Sequence, residues 1–309
     1  MKILGIGNAI VDVICKVDEN FISKNSLTKG TMKLIFDKNE FQTLLTNLKI
    51  EKTISGGSVA NSIVGLSQLG NKVGFIGKVS DDKLGSKYEE GLKKENVDFY
   101  CSKKKEPLGT GTCLILVTPD SERTMCTFLG TAGKINEDDI SLDTINKSDM
   151  VFLEGYLWDE GDPKKAFDKA INNSKKTAMT LSDQFCVDRH KAHFLDLVKN
   201  KLDICFANEG EMMSLIDAKD FNEVINFSKE IKKHIIITRG EKGAISIQDN
   251  KIVEVKSKKN LNILDLTGAG DLFASGYLHG YINNLSQVEC LEKGTEMSAK
   301  IIQQIGARL

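Results

Sequence analysis

The sequence contains no Cys-x-x-Cys pair, and its seven cysteines (Cys15, Cys101, Cys113, Cys126, Cys186, Cys205 and Cys290) are an odd number, several set inside apolar runs. This argues against a disulfide framework or a zinc cage and fits small buried hydrophobes in a reducing compartment. No apolar run approaches the ~20 residues of a membrane helix. The opening "MKILGIGNAIVDVIC" carries Asp12 and no small-residue cleavage site, so it reads as a buried strand and not as a signal peptide. Charge of one sign is also missing. A formal net charge of −1 gives no global attraction to nucleic acid or to an acidic membrane, so any anion must be bound locally. There is no G-x-x-x-x-G-K-[ST] phosphate loop, and "GIGNAI" places Ile10 where a dinucleotide fold needs its third glycine. His190 and His193 stand three apart without further ligands at zinc spacing. These absences leave a cytoplasmic protein with no nucleic-acid or membrane partner as the expectation.

What is present is ordinary for a folded chain: 40% hydrophobic and 28% charged residues over 309 positions, without internal repeats or long linkers. From about residue 149, short apolar runs alternate with amphipathic ones: "MVFLEGY", "TAMTLS", "DICFA" and "HIIITRG" are strands with helices between them. Such alternation predicts a mostly parallel sheet covered on both faces. The runs "VDVICKV" (11–17) and "MKLIF" (32–36), and a hairpin over 111–128 turning at Pro119-Asp120, do not fit that rhythm. They are assigned to a small β lid made of 11–36 and 97–128. The large α/β domain then comprises 1–10, 37–96 and 129–309.

Four stretches carry candidate chemistry. In "DLTGAGDLF" (265–273), Gly268, Ala269 and Gly270 open onto an apolar helix, where free N–H groups and the positive end of the helix dipole suit an anion. As structure alone, an acid there gains ~0.3–1 kcal/mol from the dipole. Beside a bound anion it is unfavourable, unless Asp271 handles a proton. "GGSVAN" (56–61) sets Gly56 and Gly57 before a helix with Ser58 and Asn61 in its first turns, which suits close approach of a hydroxylated ligand; Ser58 as a plain helix cap explains it equally. "ANEGE" (207–211) ends a strand, where open α/β sheets bind ligands, yet Asn208 with Glu211 also reads as a capping box. "TRGEKG" (238–243), with Thr238, Gly240 and Gly243, follows a buried strand and is explained as well by a turn. By themselves these residues point to phosphoryl transfer onto a small alcohol.

In this order the four stretches resemble the ribokinase-like (PfkB-type) family of carbohydrate and nucleoside kinases, and the resemblance spans nearly the whole chain. "GNAIVDVI", "TKGTMKLI", "EGYLWD", "TLSDQFCVDR" and "GAGDLFASG…QQIGAR" are similar to the adenosine-phosphorylating branch of that family. The resemblance implies an α/β fold: a ribokinase-like three-layer α/β/α domain with a central, mostly parallel sheet and a small β-sheet lid. It implies ATP and adenosine as small-molecule partners, Mg²⁺ as cofactor, Asp271 as base, and Gly268, Ala269 and Gly270 as anion hole. Substrate contacts implied are Asn8, Asp12, Gly56, Gly57, Ser58 and Asn61, with Met32, Leu34 and Tyr156 as purine-facing candidates and Arg123 in the lid hairpin. Asn208, Thr238, Gly240, Gly243 and Thr267 fall at nucleotide positions. Glu211 falls at a position that organises Mg²⁺ through water, and Asp265 with Thr267 at positions associated with K⁺. Leu266 departs from the small polar residue usual there. A sugar kinase acting on ribose or fructose, and a non-catalytic nucleoside-binding protein on the same scaffold, stay open as alternatives, as do monomer and homodimer.

Overall fold

The computed structural model describes all residues except 1, 47, 121 and 160–162. In chain order its strands are β1 (Lys2–Ile6), β2 (Ile10–Lys16), β3 (Met32–Leu34), β4 (Ile50–Ser55), β5 (Lys72–Ile76), β6 (Asp98–Tyr100), β7 (Gly111–Val117) and β8 (Arg123–Phe128). Beyond these come β9 (Met150–Glu154), β10 (Thr177–Thr180), β11 (Ile204–Asn208), β12 (His234–Thr238), β13 (Ala244–Gln248) and β14 (Lys251–Val255). Among the described residues they form a large sheet, ordered β14-β13-β12-β11-β10-β9-β1-β5-β6, and a small one, ordered β3-β8-β7-β2-β4.

The large sheet is parallel from β6 through β12, and only β13 and β14 run antiparallel. Because successive side chains on a strand point to opposite faces, its apolar residues divide between two cores. Ile3, Phe152 and Ile236 join the core under helices Ser58–Gln68, Ala269–Ile282 and Gln287–Ile301. Leu4, Val151, Leu153, Ile235 and Ile237 join the core under helices Lys164–Asn173, Gln184–Asp196 and Glu209–Leu215. Burial on both faces explains why these strands read as continuous apolar runs instead of alternating ones. The mostly parallel α/β architecture with a second, smaller sheet is as expected.

The small sheet differs from its expected boundaries at two places. Strand β4, in a segment assigned to the large domain, pairs antiparallel with β2, and β6, in a segment assigned to the lid, pairs parallel with β5. Strand β4 is an edge strand whose first three residues are exposed, so its sequence lacks the apolar alternation that marks a strand. Between the 11–17 and 32–36 runs, where no helix was expected, the chain forms the short helix Glu19–Lys24 capped by Asp18. The helix after β10 begins at Gln184, because the Asp183 side chain accepts from Cys186 N–H at 2.6 Å. The β7–β8 hairpin is as expected.

Strands β1 and β9 end side by side, bringing Asn8 and Glu154 together across the sheet. Helices Ser58–Gln68 and Ala269–Ile282 pack closely above them, and the Ser275 hydroxyl donates to the Ser62 carbonyl at 2.8 Å. The frame of the candidate site is therefore two packed helices over the carboxyl ends of parallel strands, with one face of the small sheet above.

Candidate active site

Asp271 sits in the first turn of helix Ala269–Ile282, after Gly268 in the left-handed conformation (φ 79°). Ser58 Oγ donates to its Oδ1 at 2.6 Å and Asn61 Nδ2 to its Oδ2 at 3.0 Å. Asn61 is held in turn by Arg308, whose Nε donates to Asn61 Oδ1 at 3.0 Å. Burial pushes the Asp271 carboxyl up to about 6, against the opposing pull of the Ser58 and Asn61 hydrogen bonds and the Arg308 charge. A carboxylate with this range and one donor on each oxygen is ionised at neutral pH and able to accept a proton.

The cavity beside it, about 810 Å³, is lined by sixteen of the residues singled out from the sequence: Asn8, Asp12, Met32, Leu34, Gly57, Ser58, Asn61, Tyr156, Asn208, Glu211, Thr238, Thr267, Gly268, Ala269, Gly270 and Asp271. The Asp12 carboxylate accepts no hydrogen bond among the described residues, and burial raises it to about 7. Asn8 gives its amide to Glu154 at 3.0 Å and leaves its buried Oδ1 without a partner. Both therefore present unpartnered polar atoms to the cavity. Gly56 lies behind this wall. A β-carbon there would come within 2.5 Å of the Asp12 carboxylate, and one on Gly57 (φ 97°) would strike the Asn8 carbonyl at 2.2 Å. The two glycines make room for Asp12 and for the Asn8 backbone.

A second cavity of about 350 Å³ takes in Thr238, Gly240 and Gly243 and is walled by Leu261, Ile263, Leu266 and Ile302. The two cavities share Thr238, Leu266, Ala269, Gly270 and Phe273, so they meet at the start of the Asp271 helix. A β-carbon on Gly270 would meet nothing within 4 Å, so that position opens onto the cleft. The Ala269 amide donates to the Leu266 carbonyl at 3.2 Å, which leaves Gly268 and Gly270 as the stronger anion donors of the expected three.

Asn208 and Glu211 form the reciprocal capping box: Glu211 N–H donates to Asn208 Oδ1 at 2.8 Å, and Asn208 N and Nδ2 donate to the two Glu211 oxygens at 3.0 and 2.6 Å. Both still line the large cavity, and burial raises the Glu211 carboxyl to about 7. Arg123 lies outside these two cavities, borders another of about 530 Å³ together with Asp12 and Arg308, and pairs with Asp265 at 2.5 Å.

Three residues escaped the sequence reading. Glu154, buried at the end of β9, accepts from Asn8 N–H, Asn8 Nδ2 and Val59 N–H at 3.3, 3.0 and 2.9 Å. It thereby ties strand β1 to the helix that carries Ser58 and Asn61; its place at a strand's carboxyl end was the available signal. Phe185, just past β10 at the cavity rim, is a large aromatic left 72% exposed. Arg308 reaches Asn61 from the opposite end of the chain, and nothing local in the sequence reveals that.

The model of the pfkB family carbohydrate kinases matches residues 6–309. The chain belongs to that family. The solved adenosine kinase of Sinorhizobium meliloti is 34% identical with a TM-score of 0.92, covering 100% of this chain and 95% of that one. A probable sugar kinase from Rhizobium etli CFN 42 is 35% identical with a TM-score of 0.90, covering 99% and 94%. A 5-dehydro-2-deoxygluconokinase of Clostridium perfringens is 27% identical over 88% of this chain and 85% of its own length. The protein is thus a kinase of alcohol acceptors with the ribokinase-like fold, and its relatives carry both nucleoside and sugar names.

Proposed function

We propose that the protein transfers the γ-phosphoryl group of ATP to the 5′-hydroxyl of adenosine, giving AMP and ADP. The observation that carries this is the meeting of two cavities at one turn, with an ionisable carboxylate on the acceptor side. Asp271 takes the hydroxyl proton while O5′ forms a bond to the γ-phosphorus and the bond to the bridging β–γ oxygen breaks, the electron pair leaving with ADP. Backbone amides at Gly268 and Gly270 and the positive end of their helix stabilise the charge on the transferring group, where preorganised donors act most strongly. Asn8 and Asp12 receive the ribose hydroxyls.

The acceptor cavity supports a nucleoside over a bare sugar. Its upper wall is an apolar face of the small sheet, with Ile10, Cys113, Ile115, Leu129 and, around them, Leu34 and Met125. Met32, Tyr156 and Phe185 extend that surface at the cavity rim. A pentose or hexose gains little from such a wall, whereas a purine lays a flat apolar face against it. The small sheet acts as a lid that excludes water from the transfer. Thr238, Gly240 and Gly243 border the ATP compartment.

Each Glu211 oxygen keeps an open lone pair after its bond to Asn208, which fits a Mg²⁺ held through its own waters by Glu211 and Asn208. When bound with ATP, that ion neutralises phosphate charge.

ADP release measured side by side with adenosine, inosine, ribose, fructose and 5-dehydro-2-deoxygluconate tests the assignment. The expected result is adenosine preferred by at least about 10²-fold in kcat/KM, the scale of a lost aromatic-lined binding surface. The sugar-kinase names among the relatives favour the second reading, and turnover of a free sugar with none of adenosine would establish it.

A further inference from the structure

The site that the resemblance offers to a monovalent cation, Asp265 with Thr267, does not fit one. Asp265 Oδ1 accepts from Thr267 N–H at 3.0 Å and Thr267 Oγ–H at 2.7 Å. Its Oδ2 accepts from Gly306 N–H at 2.8 Å and lies 2.5 Å from Arg123 Nη1. Side-chain exposure is 5% for Asp265 and 14% for Arg123, so the carboxylate is buried while the guanidinium borders a cavity it shares with Asp12 and Arg308. An alkali cation needs oxygen lone pairs turned toward it. Here three protons and a guanidinium already face the carboxylate, and the charge beside Oδ2 is supplied by the protein.

We infer that Arg123 is the resident cation of this site and makes the protein independent of K⁺. The inference rests on the kinase reading for its meaning but not for its test. Arg123 opens strand β8 of the small sheet, whereas Asp265 belongs to the large domain and leads through Thr267 directly into Gly268. Gly306, which donates to the same Oδ2 that Arg123 faces, begins the C-terminal stretch that sends Arg308 to Asn61 and packs Ala307 against Gly268. One buried ion pair therefore joins three segments: the small sheet, the anion-binding turn and the chain end. A free cation would order only the last two. Supplied from β8, the charge arrives together with the small sheet, so the turn is fully braced only when that sheet is in place. Arg123 touches no reacting atom in this arrangement and is a positioning residue. Removing one partner of such a pair leaves the other charge buried and uncompensated, with room for a small cation beside it.

The test compares the intact protein with R123Q and R123K in choline chloride and in potassium chloride at equal ionic strength. Two readouts are taken: thermal unfolding without substrates, and ADP release with the preferred acceptor. The expected wild-type protein shows the same midpoint and rate in both salts. R123Q melts lower in choline and regains roughly 2–4 °C in K⁺, with its turnover restored at least about 10-fold by the same salt. R123K keeps the potassium indifference of the wild type, because an ammonium fills the place. Activation or stabilisation of the wild-type protein by K⁺ overturns the inference, as does a loss in R123Q that is identical in both salts. The melting arm distinguishes this failure from failure of the kinase reading, since it needs no turnover; if R123Q does not fold, the wild-type and R123K arms still decide.

Discussion

At the residue scale the account turns on how Asp271 is tuned. Burial raises its carboxyl from the ordinary aspartate range to about 6, while Ser58 and Asn61 hold it from rising further. A base of this kind gives a rate that climbs with pH through about 6 and is flat above it. Removing one hydrogen bond to the charged form raises the pKa further. S58A is therefore expected to move the acidic limb of the kcat/KM profile upward by about one pH unit; an unmoved limb would assign that limb to another group. The stability sign runs opposite to activity. Because the folded pKa lies above the unfolded value, Asp271 stabilises the fold below about pH 4 and that contribution is lost as pH rises to about 6. Asp12, Glu154 and Glu211, each raised by burial to about 7, add to this cost at neutral pH. A site that holds four raised carboxyls around one cleft spends stability on function.

At the scale of elements, the start of helix Ala269–Ile282 brings together dipole, amides and base. Gly270 has no positive φ and no neighbour where a side chain would go, so the fold does not require glycine there. G270A is expected to fold with unchanged or slightly raised stability, by up to about 0.5–1 kcal/mol, since alanine is the better helix former. Its methyl group would occupy the mouth of the phosphate compartment, and turnover should fall on the order of 10²-fold. Thermal melting and steady-state kinetics on one preparation check both halves; full activity would place the phosphate elsewhere.

This turn was legible in the sequence because its parts are consecutive: small residues, then an acid, then an apolar helix. The parallel strands were legible for the same reason, as each is a local run such as "HIIIT" or "MVFLE". What stayed hidden depends on neighbours far along the chain. Glu154 matters because β9 lies beside β1, 146 positions away, and Arg308 because the chain end returns to a helix 247 positions earlier. Strand β4 was missed since an exposed edge needs little apolar pattern, and β6 because three residues carry no period.

On the scale of the whole molecule, the two cavities and the small sheet make one device. The large sheet presents the carboxyl ends of β1, β9, β10 and β11 to the cleft, as open α/β sheets do. The small sheet lines the larger cavity with an apolar face, and Arg123 ties it to the turn through Asp265. In the proposed reading, acceptor and nucleotide meet at Gly268–Asp271, where the two cavities share Ala269 and Gly270. The most direct measurement is a comparison of D271N with the wild-type protein, using calorimetric binding of adenosine and ADP release at saturating substrates. The account predicts adenosine affinity within a few-fold of wild type and turnover lowered by about 10²–10⁴-fold. Undiminished turnover in D271N would contradict it.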